Sequence, residues 1–405
     1  MRVALIYTAV GSRRGGAEKY VGVLARALHT AMHEVHVLAR DVDEGELPVG
    51  IRFHPIRPRA LPGLRSLRPL QFAAAAARAL AHDSFDLVIG FCPLWGADVH
   101  VALNGCRPAL LDSSQNRFRR AGMRAAWRLG KWVTPRQWVY HEIERQQFSA
   151  SSSVLVIAPS RRVAGEFIHW HEISEDRLAV VPLGIELPNA SDVRQITRDA
   201  FRQRCNLRPD DVAVLFAARN YSLKGLEPLL HAFATTARSA SQARLLVCGS
   251  HRDGCYRRLA DRLGIGDRVR FLGFVDEVRE CFTGVDVFAM PTFYDACSLV
   301  VLEALAAGLP VVTTRMNGAS ELVSDGVDGF VVDSPWQTSE LSRRLDELIS
   351  DAVLRRKMGD HACANAERLS IHSSVRKLLD VLEKRKGLTG TASTAADVTG
   401  WRRAA

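Results

Sequence analysis

The sequence predicts an α/β protein of two doubly wound parallel-sheet domains that face each other across a cleft. Three observations predict it. Short apolar runs of strand length alternate with amphipathic helical stretches through the first 184 residues. The same alternation restarts after residue 199. A chain of 405 residues also exceeds what one hydrophobic core usually serves. The spacing divides the chain into residues 1–187, a second domain over 188–370 with a linker at Pro188 to Asp199, a helix over 371–386 expected to pack back on the first domain, and a small, polar tail over 387–405.

Taken in order, VALIYTAV (Val3 to Val10) reads as a buried parallel strand, and GSRRGGAEKYVGVLARAL passes from a glycine loop into an amphipathic helix. Gly15 and Gly16 sit where backbone approaches something closely, and the helix beginning near Ala17 offers free N–H groups to an anion. A plain tight turn explains the pair equally well, and the spacing is not that of a dinucleotide fingerprint. Strand-like runs follow at Glu34 to Arg40, Leu87 to Phe91, Val99 to Leu103, Val154 to Ser160 and Leu178 to Gly184.

Between two of these strands lies RFRRAGMRAAWRLGKWVTPRQWVY, Arg117 to Tyr140. On a helical wheel Arg117, Arg120, Arg124, Arg128 and Lys131 share a stripe roughly 80° wide, with Ala126, Leu129 and Val133 opposite and Trp127 and Trp132 at the flanks. Such a helix suits an anionic membrane surface. It also suits a surface helix that packs its apolar side on the domain and solvates its arginines. LPGLRSLRPL, upstream, adds weight to the membrane reading.

In the second half, runs at Val212 to Asn220, Arg244 to Ser250, Val269 to Phe274, Val285 to Thr292, Pro310 to Thr314 and Gly329 to Val332 mark successive strands. Arg219 and Lys224 fall in the first strand-to-helix turn, where two cations can neutralise a pyrophosphate; Gly225 follows and opens the helix. The stretch MPTFYDACSLVVLEALAAGLPVVTT (Met290 to Thr314) reads as strand, loop, helix and strand. Asp295 lies in its loop and Glu303 two turns along its helix, roughly 12 Å apart along the backbone. That separation is long for one metal or for a carboxylate pair flanking one glycosidic bond, and suits two ends of an extended ligand.

Composition narrows the partners. A net charge of +10 admits nucleic acid, anionic membrane or phosphorylated small molecules. The absence of an RNP, zinc-finger or helix-turn-helix pattern disfavours nucleic acid. The eight cysteines show no C-x-x-C pair and no zinc spacing, so reduced, mostly buried thiols of a cytosolic protein are expected. The N-terminus reads as a first strand rather than a signal peptide, and no apolar run reaches the ~18 residues of a membrane span.

The glycine loop, R-x4-K-G from Arg219 to Gly225, VVPLGIEL, and D-x7-E followed by EALAAGLPVV together closely resemble the retaining GT-B glycosyltransferases of family 4, over the chain to about residue 385. VIGFCPLWGADVHVALNGCRPALLD and TFYDACSLVVLEAL look most like the lipopolysaccharide core glucosyltransferases, a group that carries a basic membrane-contacting segment. The resemblance implies two Rossmann-like domains and a hexose moved from a nucleotide diphosphate sugar, UDP-glucose or another UDP-sugar foremost and GDP-mannose next. The acceptor it implies is a lipid-linked or cell-envelope glycan such as lipopolysaccharide core, met at the inner face of the cytoplasmic membrane through Arg117 to Tyr140.

Residue by residue, it implies that Gly15 and Gly16 bring backbone to the donor phosphate and that Arg219 and Lys224 hold the diphosphate. Asp295 would bind the transferred sugar, Glu303 the ribose, and the amides of Cys297, Ser298 and Leu299 the phosphates. No cofactor and no divalent metal are then expected. The D-x-D match at Asp41 to Asp43 reads as a solvated loop. Two departures stand out: Asp295 replaces the family's glutamate, and N-G-C-R (Asn104 to Arg107) stands where many members have G-G-x-H. His100 is the only nearby imidazole on the acceptor side and, in a strand-like run, reads better as a core residue. Two alternatives stay open: a soluble small-molecule acceptor, or a non-catalytic module that binds nucleotide sugar or glycan.

Overall fold

A computed structural model describes residues 1–58, 65–187 and 198–389. Among these, two parallel sheets carry the fold. The first has seven strands in the spatial order Arg52–Pro55, Glu34–Ala39, Arg2–Ile6, Leu87–Gly90, Val99–Val101, Leu155–Ala158 and Leu178–Val180. The second has six, in the order Val269–Gly273, Ala243–Cys248, Val212–Ala217, Val287–Met290, Val311–Thr314 and Gly329–Val332. Every ladder is parallel, and the central strands are buried on both faces, which is why they read as unbroken apolar runs.

Two strand readings change. Val3 to Val10 is not one strand: Arg2–Ile6 belongs to the sheet, whereas Ala9–Val10 pairs separately with Asp41–Val42. Arg52–Pro55 has no apolar signature, because RFHP is an edge strand whose side chains are mostly exposed. Helix Gly16–Thr30 buries Tyr20, Val21, Leu24 and Leu28 on one face of the first sheet. Helix Arg68–Ala81 covers the other face, with Phe72 and Ala76 against Ile6, Leu38 and Val88.

The expected linker lies largely outside the described residues; Arg198 and Asp199 already belong to helix Arg198–Arg204. The C-terminal helix runs from Ile371 to Thr389, so residues 387–389 are helical and the remainder of the expected tail falls outside the described residues. This helix leaves the second sheet and lies against helix Gly16–Thr30, with Ser374 Oγ donating to the Pro182 carbonyl at 2.8 Å. Where it crosses, Ile371 N donates to Ile185 O at 2.7 Å and Ile185 N to Leu369 O at 2.9 Å, so the two interdomain segments are hydrogen-bonded to each other. Gly184 sits so close to Ser370 and Ile371 that a Cβ there would meet their backbone.

Candidate active site

In the second sheet the strand order reverses between Val212–Ala217 and Val287–Met290, and a ligand crevice forms where such a reversal leaves the carboxyl ends uncovered. The loop after the first of these strands carries Arg219 and Lys224; the loop after the second carries Asp295. Gly225 begins helix Leu226–Ser239 at φ +82°, a left-handed conformation, and packs against the Pro291 carbonyl, which explains why glycine follows Lys224. The two loops are thereby held side by side.

Across from them, the glycine loop leaves strand Arg2–Ile6 and enters helix Gly16–Thr30, with Gly15 at its N-cap in extended backbone. A Cβ on Gly16 would come within 3.7 Å of Leu299 Cδ1, and one on Gly15 within 3.7 Å of Arg219 Nη1, so both glycines face the other domain. Arg14 Nε donates to Asp43 Oδ1 at 2.6 Å, and Arg14 Nη1 lies 3.6 Å from Asp41 Oδ2. The D-x-D pair is therefore a brace for the glycine loop, not the solvated loop its polarity suggests.

One cavity of about 370 Å³ is lined by Gly15, Gly16, Asn104, Arg219, Lys224, Asp295, Cys297, Ser298, Leu299 and Glu303. Asp295 and Glu303 are both ion-paired. Lys224 Nζ lies 2.6 Å from Asp295 Oδ2 and also donates to the Tyr294 carbonyl at 3.1 Å. Glu303, on helix Leu299–Ala306, accepts from Lys19 Nζ at 2.9 Å, and Arg279 Nη2 stands 3.7 Å away. Lys19 and Arg279 carry no motif, and sequence reasoning passed over them; the only signal for Lys19 is its place one turn into the helix behind the glycine loop. Ser298 holds the N-cap position, but its side chain does not cap: its amide donates to the buried Asn317 Oδ1 at 3.2 Å. That amide is committed within the protein, so the unpaired first-turn donors of the helix are Leu299 and Val300, both lining the cavity.

Tyr294, next to Asp295, crosses between domains. It is fully buried, its hydroxyl donates to Glu166 Oε2 at 2.7 Å and lies 3.3 Å from the Cys106 carbonyl, and it abuts Gly105. Burial raises the pKa of both Tyr294 and Glu166. The Arg162 guanidinium sits 4.6 Å from the Tyr294 ring centroid, pairs with Glu166 at 2.8 Å and donates to the carbonyls of Met316 and Asp295. The N-terminus of helix Arg161–His171 completes this contact: the amides of Arg161 and Arg162 each donate to Glu321 at 2.9 Å. A carboxylate from one domain thus caps a helix of the other.

On the acceptor side, Asn104 lines the cavity and donates to Tyr7 Oη at 3.1 Å. His100 does not reach it. The ring is buried edge-on to Phe148, and burial lowers its pKa to about 3, so it is a neutral core residue. Arg107 turns away as well, stacked 3.6 Å over the Tyr140 ring and hydrogen-bonded to Gln137. Neither His100 nor Arg107 is among the residues lining the cleft cavity.

The stretch Arg117 to Tyr140 is not one helix. Arg117 ends a short 3₁₀ turn, an α-helix spans Ala121–Trp132, and a second starts at Pro135 after Thr134. No residue of Ala121–Trp132 is buried; Leu129 is 63% exposed and Trp132 66%. Its apolar side therefore does not pack on the domain. None of the helices among the described residues is long and apolar enough to cross a membrane. All eight cysteines are free thiols. The described residues contain one group with metal-ligand spacing, His36, His54 and Asp83, at the far edge of the first sheet and outside the cleft.

Residues 14–188 match the family described as Glycosyltransferase Family 4, and residues 197–364 match Glycosyl transferases group 1. The chain is 24% identical to the lipopolysaccharide glucosyltransferase WaaG of Escherichia coli, over 91% of this chain and 95% of that one. It is 30% identical to a D-inositol 3-phosphate glycosyltransferase of Xylanimonas cellulosilytica, over 91% of each. In structure it resembles WaaG, with a TM-score of 0.78 at 21% identity over 94% of this chain and 99% of the other. It also resembles Anabaena Alr3699/HepE in complex with UDP and glucose, with a TM-score of 0.68 at 20% identity over 95% and 100%. With its two facing Rossmann-like sheets, the chain is a glycosyltransferase of the GT-B fold and belongs to glycosyltransferase family 4.

Proposed function

We propose that the protein is a retaining, metal-independent hexosyltransferase that uses a UDP-sugar and delivers the sugar to a lipid-linked or cell-envelope glycan. The observation that carries this reading is the one cavity that brings Gly15, Gly16, Arg219, Lys224, Asp295 and Glu303 together. Arg219 and Lys224 hold the diphosphate and stabilise the charge that grows on it as the sugar C1–O bond breaks, work that a metal does elsewhere. Glu303 accepts hydrogen bonds from the ribose, and Asp295 from a hydroxyl of the sugar. The donor amides are those of Leu299 and Val300. The acceptor oxygen bonds to C1 on the face the diphosphate leaves, and its proton passes to the departing phosphate oxygen. No protein base is required, which accords with Asn104, held by Tyr7, lining the acceptor side of the cavity.

Binding of UDP by the structural neighbour HepE supports the choice of nucleotide. The unburied apolar side of Ala121–Trp132, beside Arg120, Arg124 and Arg128, supports work as a peripheral protein at an anionic membrane surface. The test is transfer from a panel of UDP- and GDP-sugars to membrane lipid extract, with product mass read by spectrometry. Transfer that survives chelator is expected; loss of all transfer with chelator, restored by a divalent ion, would sink the metal-independent mechanism. The similarity to inositol-phosphate transferases favours a second reading, a soluble phosphorylated acceptor. Flotation with anionic vesicles separates the two, since a soluble-acceptor enzyme stays at the bottom of the gradient at low salt.

A further inference from the structure

A second cavity, of about 790 Å³, lies outside the cleft, between helix Ala121–Trp132 and the helices Arg107–Ser114, Pro135–Gln147 and Arg161–His171. Its size is in the ~300–1,000 Å³ range of small-molecule sites. Four of the chain's seven tryptophans line it, Trp127, Trp132, Trp138 and Trp170, together with Leu111 and Leu129. The exposed helix spans this space as a lid and buries nothing of its own; Trp138 Nε1 donates to the Trp132 carbonyl at 2.7 Å and ties it to the next helix. Cationic groups, Arg107, Arg128 and Lys131, stand around the walls.

We propose that this cavity is a slot for one hydrocarbon chain of an anionic amphiphile, which seats the acceptor beside the cleft. The proposal rests on the reading above that the acceptor is lipid-linked. Proximity to the cleft is the first argument. Asn104 lines the donor cavity and Arg107 this one, and three residues of chain span at most about 10 Å, so the two sites are neighbours along the backbone. The lining is the second. Leu129, Trp132 and Trp138, themselves exposed, continue the apolar wall out to the surface, and a hydrocarbon chain laid on them would take that apolar area out of water. Charge is the third: Arg107, Arg128 and Lys131 outnumber the acidic Asp112 and Glu144 of the lining and suit a phosphate or carboxylate head at the rim. The buried Glu144 carboxyl lines the cavity, feels the charge of Arg107 and offers a polar end to the site.

The test uses the full chain and 11-bromoundecanoic acid below its micellar concentration, whose bromine quenches tryptophan emission on contact. Saturable quenching is expected, competed by dodecyl phosphate and not by butyl phosphate or maltotriose. Ala125→Phe, which projects a ring from the lid into the cavity, is expected to weaken the bromo-acid at least tenfold while UDP binding, measured on the same sample, confirms a folded chain. Non-saturable quenching, equal quenching in Ala125→Phe, or competition by maltotriose alone overturns the slot. Flotation with anionic vesicles is run in parallel. Flotation without saturable quenching removes the slot and leaves the membrane reading standing; quenching without flotation does the reverse.

Discussion

Lys19 Nζ, on the helix behind the glycine loop, lies 2.9 Å from Glu303 Oε1 on the opposite wall of the cleft. The pair is only partly exposed, so it is stronger than a surface ion pair, and it occupies the carboxylate assigned to the ribose. Replacing Lys19 by Met should tighten UDP binding about two- to fivefold, since the ribose then competes with no ammonium. Glu303→Gln should weaken it by about tenfold or more, in line with the loss of a charge-assisted hydrogen bond. Isothermal titration reads both; a Lys19→Met protein that binds UDP tenfold more weakly would show that Lys19 itself holds the nucleotide.

Lys224 touches both the Asp295 carboxylate and the Tyr294 carbonyl, so it sets the loop as well as the charge of the site. Lys224→Ala is expected to lower kcat/KM by about 10²–10³, the scale on which one preorganised electrostatic donor acts. Most of the loss should appear in kcat, because the charge that Lys224 meets is greatest in the transition state. Unchanged kcat would sink the assigned role.

Tyr294→Phe removes the hydroxyl that Glu166 accepts and leaves that half-buried carboxylate one donor short. A stability loss of about 1–3 kcal/mol is expected by denaturant titration. Because Arg162 and Glu166 also position the Asp295 loop, sugar transfer should fall further than UDP affinity. A variant as active as the parent, with the same midpoint, would refute the positioning role.

Glu144 gives a pH signature. Burial raises its pKa from 4.5 to about 7, against the opposing charge of Arg107. The folded state thus holds a proton that the unfolded state releases near pH 4.5, so this contribution to stability is complete below that value and disappears as pH rises through about 7. At about 1.4 kcal/mol per unit it amounts to at most ~3.5 kcal/mol. Thermal midpoints should fall between pH 5 and 8 more steeply in the parent than in Glu144→Gln; parallel curves would contradict the buried-acid state.

The central strands were legible in the sequence because strands buried on both faces are apolar, and the donor half of the cleft because R-x4-K-G and D-x7-E, at the carboxyl ends of two such strands, resemble the family's motifs. Arg219, Lys224, Asp295 and Glu303 therefore fall in one cavity. Pairings between domains were not legible, because nothing local distinguishes Lys19 from any helix lysine or Glu321 from any turn glutamate. Edge strand Arg52–Pro55 lacked a pattern because it is largely exposed. Arg107 is placed on the acceptor side by its position in N-G-C-R, but the start of a helix turns it toward Tyr140; His100, read as a core residue from its strand-like run, is one. The basic stripe was seen as one helix, and Pro135 divides it.

The hydrogen-bonded crossing of Ile185 with Leu369 and Ile371 makes the two passages between domains a single joint. A molecule joined at one such seam has one easy motion, a swing of one sheet toward the other about an axis through that seam. Lys19–Glu303, Tyr294–Glu166 and the Glu321 cap each tie one domain to the other, so any such swing has to break them.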